Sequence, residues 1–413
     1  MSVECNLGII YSATSKNQGF DLQNLAYYIC GSFCETGYCD VIMVPHYDDN
    51  SSYNSLPNHR IVYCPVPNST KSYLVPSNNY NFDNFSGLSK CNMILIIVKN
   101  GSLSLIWDQL NLLTLEESCD PVIFVLQKHS IAFTGLPNSV MIGKKKIPTL
   151  EVAVAFSVVE YNNFAMNNDC TYMSVLSNPS LVVTRLSKDN ESKFHGPCNL
   201  LEATGIDILY RTNLNQHLWG IALYEQIYIV CALFQTNIKN AIWNQESRLT
   251  YACMLRECVG LLEKAAGRSK KWQPHMESIV FVSPFLLEML LISSPFLSEF
   301  IIRLLDIPWC MSVVPNASKE LEQGYFCNSM NLLKLILNEG ESFNVKENMP
   351  VCLAVYNNLL KIKENPAFRN IAVENVKLVV HRASPLGIYE WRLWTLRIIA
   401  VILTLYSFHF FFL

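Results

Sequence analysis

Few side chains in this sequence stand in a pattern that could do chemistry. Glu225 is one. It follows Leu218, Ile221 and Ala222 at helical steps, which puts a carboxylate on an apolar helix face. Ionisation there is expensive without a partner. Two readings follow: a remodelled cleft holding a carboxyl of unusual acidity, or a rim position reaching solvent or a nearby Lys or Arg. The rim position is the expectation. Lys99 closes an apolar run and reads as a solvated strand-end lysine, with a cleft amine as the alternative. The 15 cysteines include no C-x-x-C; Cys30, Cys34 and Cys39 lack a histidine pair, and His195 and Cys198 stand alone. That pattern predicts reduced, buried thiols and no metal site. No G-x-S-x-G elbow, P-loop or H-E-x-x-H occurs.

The elements that would position these groups fall into two halves. A chain of 413 residues, 50% hydrophobic, has material for about two domains. In the first half, apolar runs at Asn6–Ile10, Asp40–Pro45, Asn92–Asn100 and Asp120–Lys128 alternate with helical patterns, such as Leu22, Leu25, Ala26, Ile29 and Phe33. Continuous runs of this kind fit strands buried on both faces of a parallel sheet. Residues 50–84 read as a polar stretch, and residues 151–185 as later antiparallel or mixed strands. The second half is helical: 214–234, then 245–266 behind Asn244 as a cap, then segments near 321–337 and 350–363. Residues 277–309 are greasy but interrupted by Pro284, Glu288, Pro295, Glu299, Arg303 and Asp306. They predict buried or dimer-facing helices rather than a membrane span.

This order of elements resembles the ketopantoate reductase (2-dehydropantoate 2-reductase) family over most of residues 5–365. "NMILIIVKN" is similar to that family's strand ending in a lysine, here Lys99. "PVIFVLQK" is similar to the strand leading into its L-Q-N-G turn, with Leu126 and Gln127 in place. "HLWGIALYEQIYIVCAL" resembles the L-W-x-K-L-x-x-N helix, and "MPVCLAVYNNLLKIKE" the V-P-x-N-x-x-L helix. The resemblance implies a Rossmann-like α/β domain (1–190), then an all-α domain similar to the C-terminal domain of 6-phosphogluconate dehydrogenase (200–385), and NADP as cofactor. A hydrophobic segment follows at 388–413.

The departures concern the residues that would carry the family's chemistry. A dinucleotide turn uses glycines for a tight bend and close approach to the pyrophosphate. Here Ser12, Ala13 and Ser15 occupy that region and Gly19 stands alone. Asp48 and Asp49 follow His46, where the family has a basic residue for the 2′-phosphate. Lys128 and His129 replace Asn-Gly. The resemblance places the family's proton-donating lysine at Ile221 and its asparagine at Glu225. Ile221 cannot donate a proton. Cys352 replaces the asparagine of the last motif. Asn316, Ser318, Glu320 and Asn328 fall where the family has its serine and acidic substrate contacts.

The last 16 residues, 398–413, carry no formal charge. As a helix they would span about 24 Å, extended by Trp391 and Trp394 toward a bilayer core of about 30 Å. With no secretory signal and one basic residue, Lys16, in the first 50, a C-terminal single-pass anchor is expected on the cytosolic face of the ER or the mitochondrial outer membrane. A net charge of −3 gives no field for nucleic acid. The lysine run 144–146 reads as a solvated loop. The expected function is a membrane-tethered, non-catalytic scaffold or adaptor, with a homodimer or protein partner on the helical domain. The alternatives are an active NADP-dependent 2-dehydropantoate (or related 2-oxo acid) reductase and a ligand sensor without turnover.

Overall fold

The computed structural model describes residues 5–13, 21–37, 39–47, 60–64, 73–75, 79–98, 102–127, 137–154, 158–161, 170–175, 180–184, 188–211, 213–265, 284–304, 318, 321 and 328–383. It divides into two compact units, Met1–Leu218 and Trp219–Leu413. The sequence reading placed the boundary between 190 and 200; a further helix and strand carry the first unit past that point. The expected anchor at 388–413 lies outside the described residues.

The first unit is built on a mixed sheet. Its strands are β1 (Cys5–Ala13), β2 (Cys39–Tyr47), β5 (Tyr80–Phe82), β6 (Met93–Ile97), β7 (Val122–Gln127), β8 (Ser139–Ile142), β9 (Lys145–Val154), β12 (Ser180–Thr184) and β13 (Asp207–Arg211). The spatial order is β13-β12-β9-β7-β6-β1-β2-β5, with β8 paired to β9. Pairs from β5 through to β9 are parallel, β9 and β12 are antiparallel, and β12 and β13 are parallel again. The apolar runs have the stated cause. Leu7, Ile9 and Tyr11 enter one core with Leu95, Ile97, Phe124 and Leu126. Ile10, Ile94, Ile96, Ile123 and Val125 enter a second core on the opposite face. Each such aliphatic side chain stabilises by about 1.5–3 kcal/mol on burial.

Helix α1 (Asp21–Thr36) packs on β1 and β2. A second, four-stranded sheet, β10-β11-β3-β4, packs against α1 as well. Its strands are β3 (Arg60–Cys64), β4 (Tyr73–Leu74), β10 (Val158–Tyr161) and β11 (Cys170–Val175). Clad by two sheets, Leu25 to Cys34 are buried without a break. The polar reading of 50–84 therefore hides three short strands, β3, β4 and β5. Gly8 in β1 serves packing: a Cβ there would stand 2.4 Å from Leu88 Cδ2. Helix α2 (Leu103–Asn111) covers the other face, and α3 (Lys188–Ala203) precedes β13. The lysine run is not wholly a solvated loop. Lys145 Nζ reaches the carbonyls of Glu116, Glu117 and Cys119, the last at 2.7 Å.

The second unit is helical. Its helices are α4 (Leu214–Phe234), which begins in the first unit, α5 (Ile238–Trp243), α6 (Gln245–Ala265), α7 (Pro284–Ser293), α8 (Pro295–Leu304), α9 (Asn328–Ser342), α10 (Pro350–Glu364) and α11 (Arg369–Ala383). Among the described residues only α4 is long and apolar enough to cross a membrane, and 89% of that stretch is buried inside the protein. Buried in this way, it can be apolar all round without lipid.

Charged side chains terminate several of these helices. Arg248 lies buried and donates from Nε to Leu291 O (2.7 Å) in α7 and from Nη1 to Ile242 O (2.7 Å) in α5. Arg369 Nη1 donates to Ala232 O in the last turn of α4 (2.6 Å), and Arg256 Nη2 to Ala383 O ending α11 (3.2 Å). These carbonyls have no partner inside their own helices, and a cation there also opposes the helix dipole.

Candidate functional site

In open α/β sheets, ligands bind beyond the carboxyl ends of the strands, where the strand order reverses. In this chain that place is the end of β1, between β2 and β6. Tyr11 pairs in register with Pro45 and Ile97, Ser12 with His46, and Ala13 with Tyr47. Ser12, Ala13 and His46 are all buried. Tyr11 is wholly buried on the α1 side, its hydroxyl 3.4 Å from that of Tyr27. The two rings are tilted at 59° with centroids 5.5 Å apart. Gln23, in the first turn of α1, donates its amide to the Tyr27 hydroxyl at 3.2 Å. Two phenols and a carboxamide thus meet between β1 and the start of α1.

A dinucleotide held by the glycine fingerprint needs a strand that stops early, a tight bend and small residues at the pyrophosphate. Here β1 stays paired with β2 through Ala13, and α1 begins only at Asp21. A strand paired this far departs from that pattern. Ser15 and Gly19 of the connecting segment lie outside the described residues, as do Lys99, Asp48, Asp49, Lys128, His129 and Glu320. Gln127 is the last residue of β7, paired with Ala153.

On α4, Ile221 and Glu225 occupy successive turns of one face and are 8% and 6% exposed. Glu225 is buried, which corrects the part of the rim expectation that has it reaching solvent. Ile221 has no proton to give. Next to Glu225, the fully buried Gln226 donates Nε2 to Cys258 Sγ at 3.0 Å. The Tyr251 hydroxyl from α6 lies 3.3 Å from both the Leu223 and Tyr224 carbonyls. This stretch of α4 is thus tied to α6 by polar contacts to core atoms. Ser318 is buried, with no hydrogen-bond partner for Oγ among the described residues.

The buried titratable groups with described partners serve the backbone. Glu257 on α6 accepts the amides of Val351 and Cys352, the first residues of α10 after Pro350. Burial raises its carboxyl above the ordinary carboxylate value, and the two amides lower it less. Burial lowers the Arg248 guanidinium. Burial raises the thiols of Cys30, Cys119, Cys198 and Cys231; Cys352 is raised first by its hydrogen bond with Cys258 and then by burial. Thiols so raised are poor nucleophiles and poor metal ligands. Ten of the described cysteines, from Cys30 to Cys352, are buried thiols outside any disulfide, and no cluster among the described residues could hold a metal. Glu257, Arg248, Tyr11 and Tyr27 carry no local motif. The one sequence signal was a bulky Tyr11 entering a turn that the resemblance expects to be small.

No protein-family profile matches the sequence, and no curated protein sequence does either. Solved structures match over most of their lengths. D-mandelate dehydrogenase, solved with NADH and anilino(oxo)acetate, is 11% identical with a TM-score of 0.56, over 87% of this chain and 99% of its own. A ketopantoate reductase of the PanE/ApbA family from Ralstonia eutropha is 12% identical with a TM-score of 0.55, over 87% and 98%. The dimeric ketopantoate reductase of Staphylococcus aureus, described as kinetically cooperative, is 14% identical with a TM-score of 0.51, over 87% and 99%. Likeness at such identities is one of architecture: the chain has the fold of the ketopantoate reductases, a Rossmann-like unit followed by a helical one.

Proposed function

We propose that this chain keeps the ketopantoate reductase fold without its hydride transfer and acts as a scaffold held at the cytosolic face of an intracellular membrane. The observation that carries the non-catalytic half is the Tyr11–Tyr27–Gln23 packing at the head of the sheet. It puts bulky side chains between β1 and α1, next to the turn that the family builds from glycines, and so supports this reading. Ile221, at the position the resemblance gives to the proton donor, supports the same reading, because reduction of a ketone must protonate the product alkoxide. The uncharged segment 398–413 supports the tether. The dimeric Staphylococcus aureus neighbour supports a homodimer as the assembled form.

The test uses the full chain in detergent or vesicles. Millimolar NADPH or NADH should leave its unfolding temperature unchanged. A ligand at a hundred times its Kd would stabilise by about 2.7 kcal/mol. No oxidation of either nucleotide should follow with 2-dehydropantoate or a panel of other 2-oxo acids. Turnover sinks the reading in favour of a reductase. Stabilisation without turnover replaces scaffolding by ligand sensing.

A further inference from the structure

Helix α8 is two-sided in a way its position in the second unit does not require. Ser298 is fully buried and donates Oγ to Leu290 O (2.8 Å) and Ser294 O (2.7 Å), fixing α8 to the end of α7. Away from that contact, Phe296 is 67% exposed, Phe300 52% and Leu297 43%. Phe296 and Phe300 are one turn apart on the same stripe. Trp243, the last residue of α5, is 49% exposed and donates its indole N–H to the Glu299 carboxylate. That bond sets the indole beside the phenylalanine stripe and engages the acidic group at the centre of the patch. Lys239, one turn before Trp243 on α5, is also exposed.

Single exposed apolar residues need no explanation, but a contiguous aromatic group of this size marks a contact surface. We propose that the α5–α8 face rests on a lipid bilayer, with Phe296, Leu297, Phe300 and Trp243 entering the headgroup–acyl boundary. This rests on the membrane tethering proposed above. Amphipathic aromatic side chains concentrate at that depth, and a flanking lysine suits the headgroup level. The apolar segment 398–413 follows the last described residue, Ala383, by 14 intervening positions. Fully extended, those positions span up to about 50 Å, so a segment in the bilayer can hold the second unit against it.

The experiment uses the full chain with phosphatidylcholine vesicles. Flotation reports tethering, and amide hydrogen exchange of residues 296–304 reports the surface. Wild type should float, and exchange in α8 should slow about tenfold or more on vesicle addition. The double variant Phe296→Ser/Phe300→Ser should still float but lose most of that slowing. If wild type floats and α8 exchange is unchanged, the surface is wrong while the tether stands. Failure of wild type to float overturns both. If α8 is equally protected without vesicles and sedimentation shows a dimer that the double variant loses, a second copy covers the face and the bilayer assignment falls.

Discussion

Glu257 and Val351 lie far apart in sequence yet meet at 2.9 Å, the Glu257 Oε1 accepting the Val351 amide while Oε2 accepts that of Cys352 at 2.9 Å. A carboxylate from one helix thereby caps the amino end of another. Caps usually come from the residue just before the helix; here Met349 holds that place and cannot do it.

Burial outweighs the two amides, so Glu257 binds its proton more tightly folded than unfolded. The stability linked to that proton is fully present below the unfolded value of 4.5 and is lost as pH rises through the higher folded value. Glu257→Gln removes this titration. The unfolding free energy of the variant, relative to wild type, should rise with pH from 4.5 upward, read from urea melts across a pH series. Parallel curves would mean that the carboxyl titrates alike in both states.

Tyr27→Phe should cost about 1–3 kcal/mol, because Gln23 loses its acceptor and the Tyr11 hydroxyl a neighbour inside the core. Chemical denaturation measures this. An unchanged midpoint would show that the hydroxyl network contributes nothing.

Arg248→Met should lose about 3 kcal/mol or more, since carbonyls of two helices are orphaned together. Arg248→Lys should recover less than half of the loss: an ammonium cannot present the fork that spans α5 and α7. Full recovery by lysine would reduce the interaction to a matter of charge alone.

Ile221→Lys restores the residue type that the resemblance expects. It should still yield no NADPH oxidation, and it should destabilise the second unit by about 2–4 kcal/mol through burial of an amine. Reductase activity in this variant would show that the cofactor site survives and that only the acid was missing.

Sequence reading reached the parts governed by local pattern. The apolar runs of β1, β6 and β7, the helix 214–234 and the start of α10 at Pro350 all stand where periodicity put them. Asn244 caps α6 as read, its Oδ1 accepting from Glu246 N at 2.9 Å and Ser247 N at 3.2 Å. What was illegible depended on partners far along the chain. β3 reads as polar loop until β11 lies beside it, Arg60 opposite Cys170. The depth of Glu225 depends on the helices around α4, and Lys145 looked solvated because nothing nearby in sequence announces its carbonyl acceptors.

The parallel pairing of β3 with β11 also constrains the order of assembly. A ribosome delivers residues 60–64 long before residues 170–174, and parallel partners so distant must close a long loop before they gain anything from meeting. Helix α1 therefore waits through much of synthesis with its outer side bare. Until β11 arrives, that side of the helix lacks the sheet that later covers it.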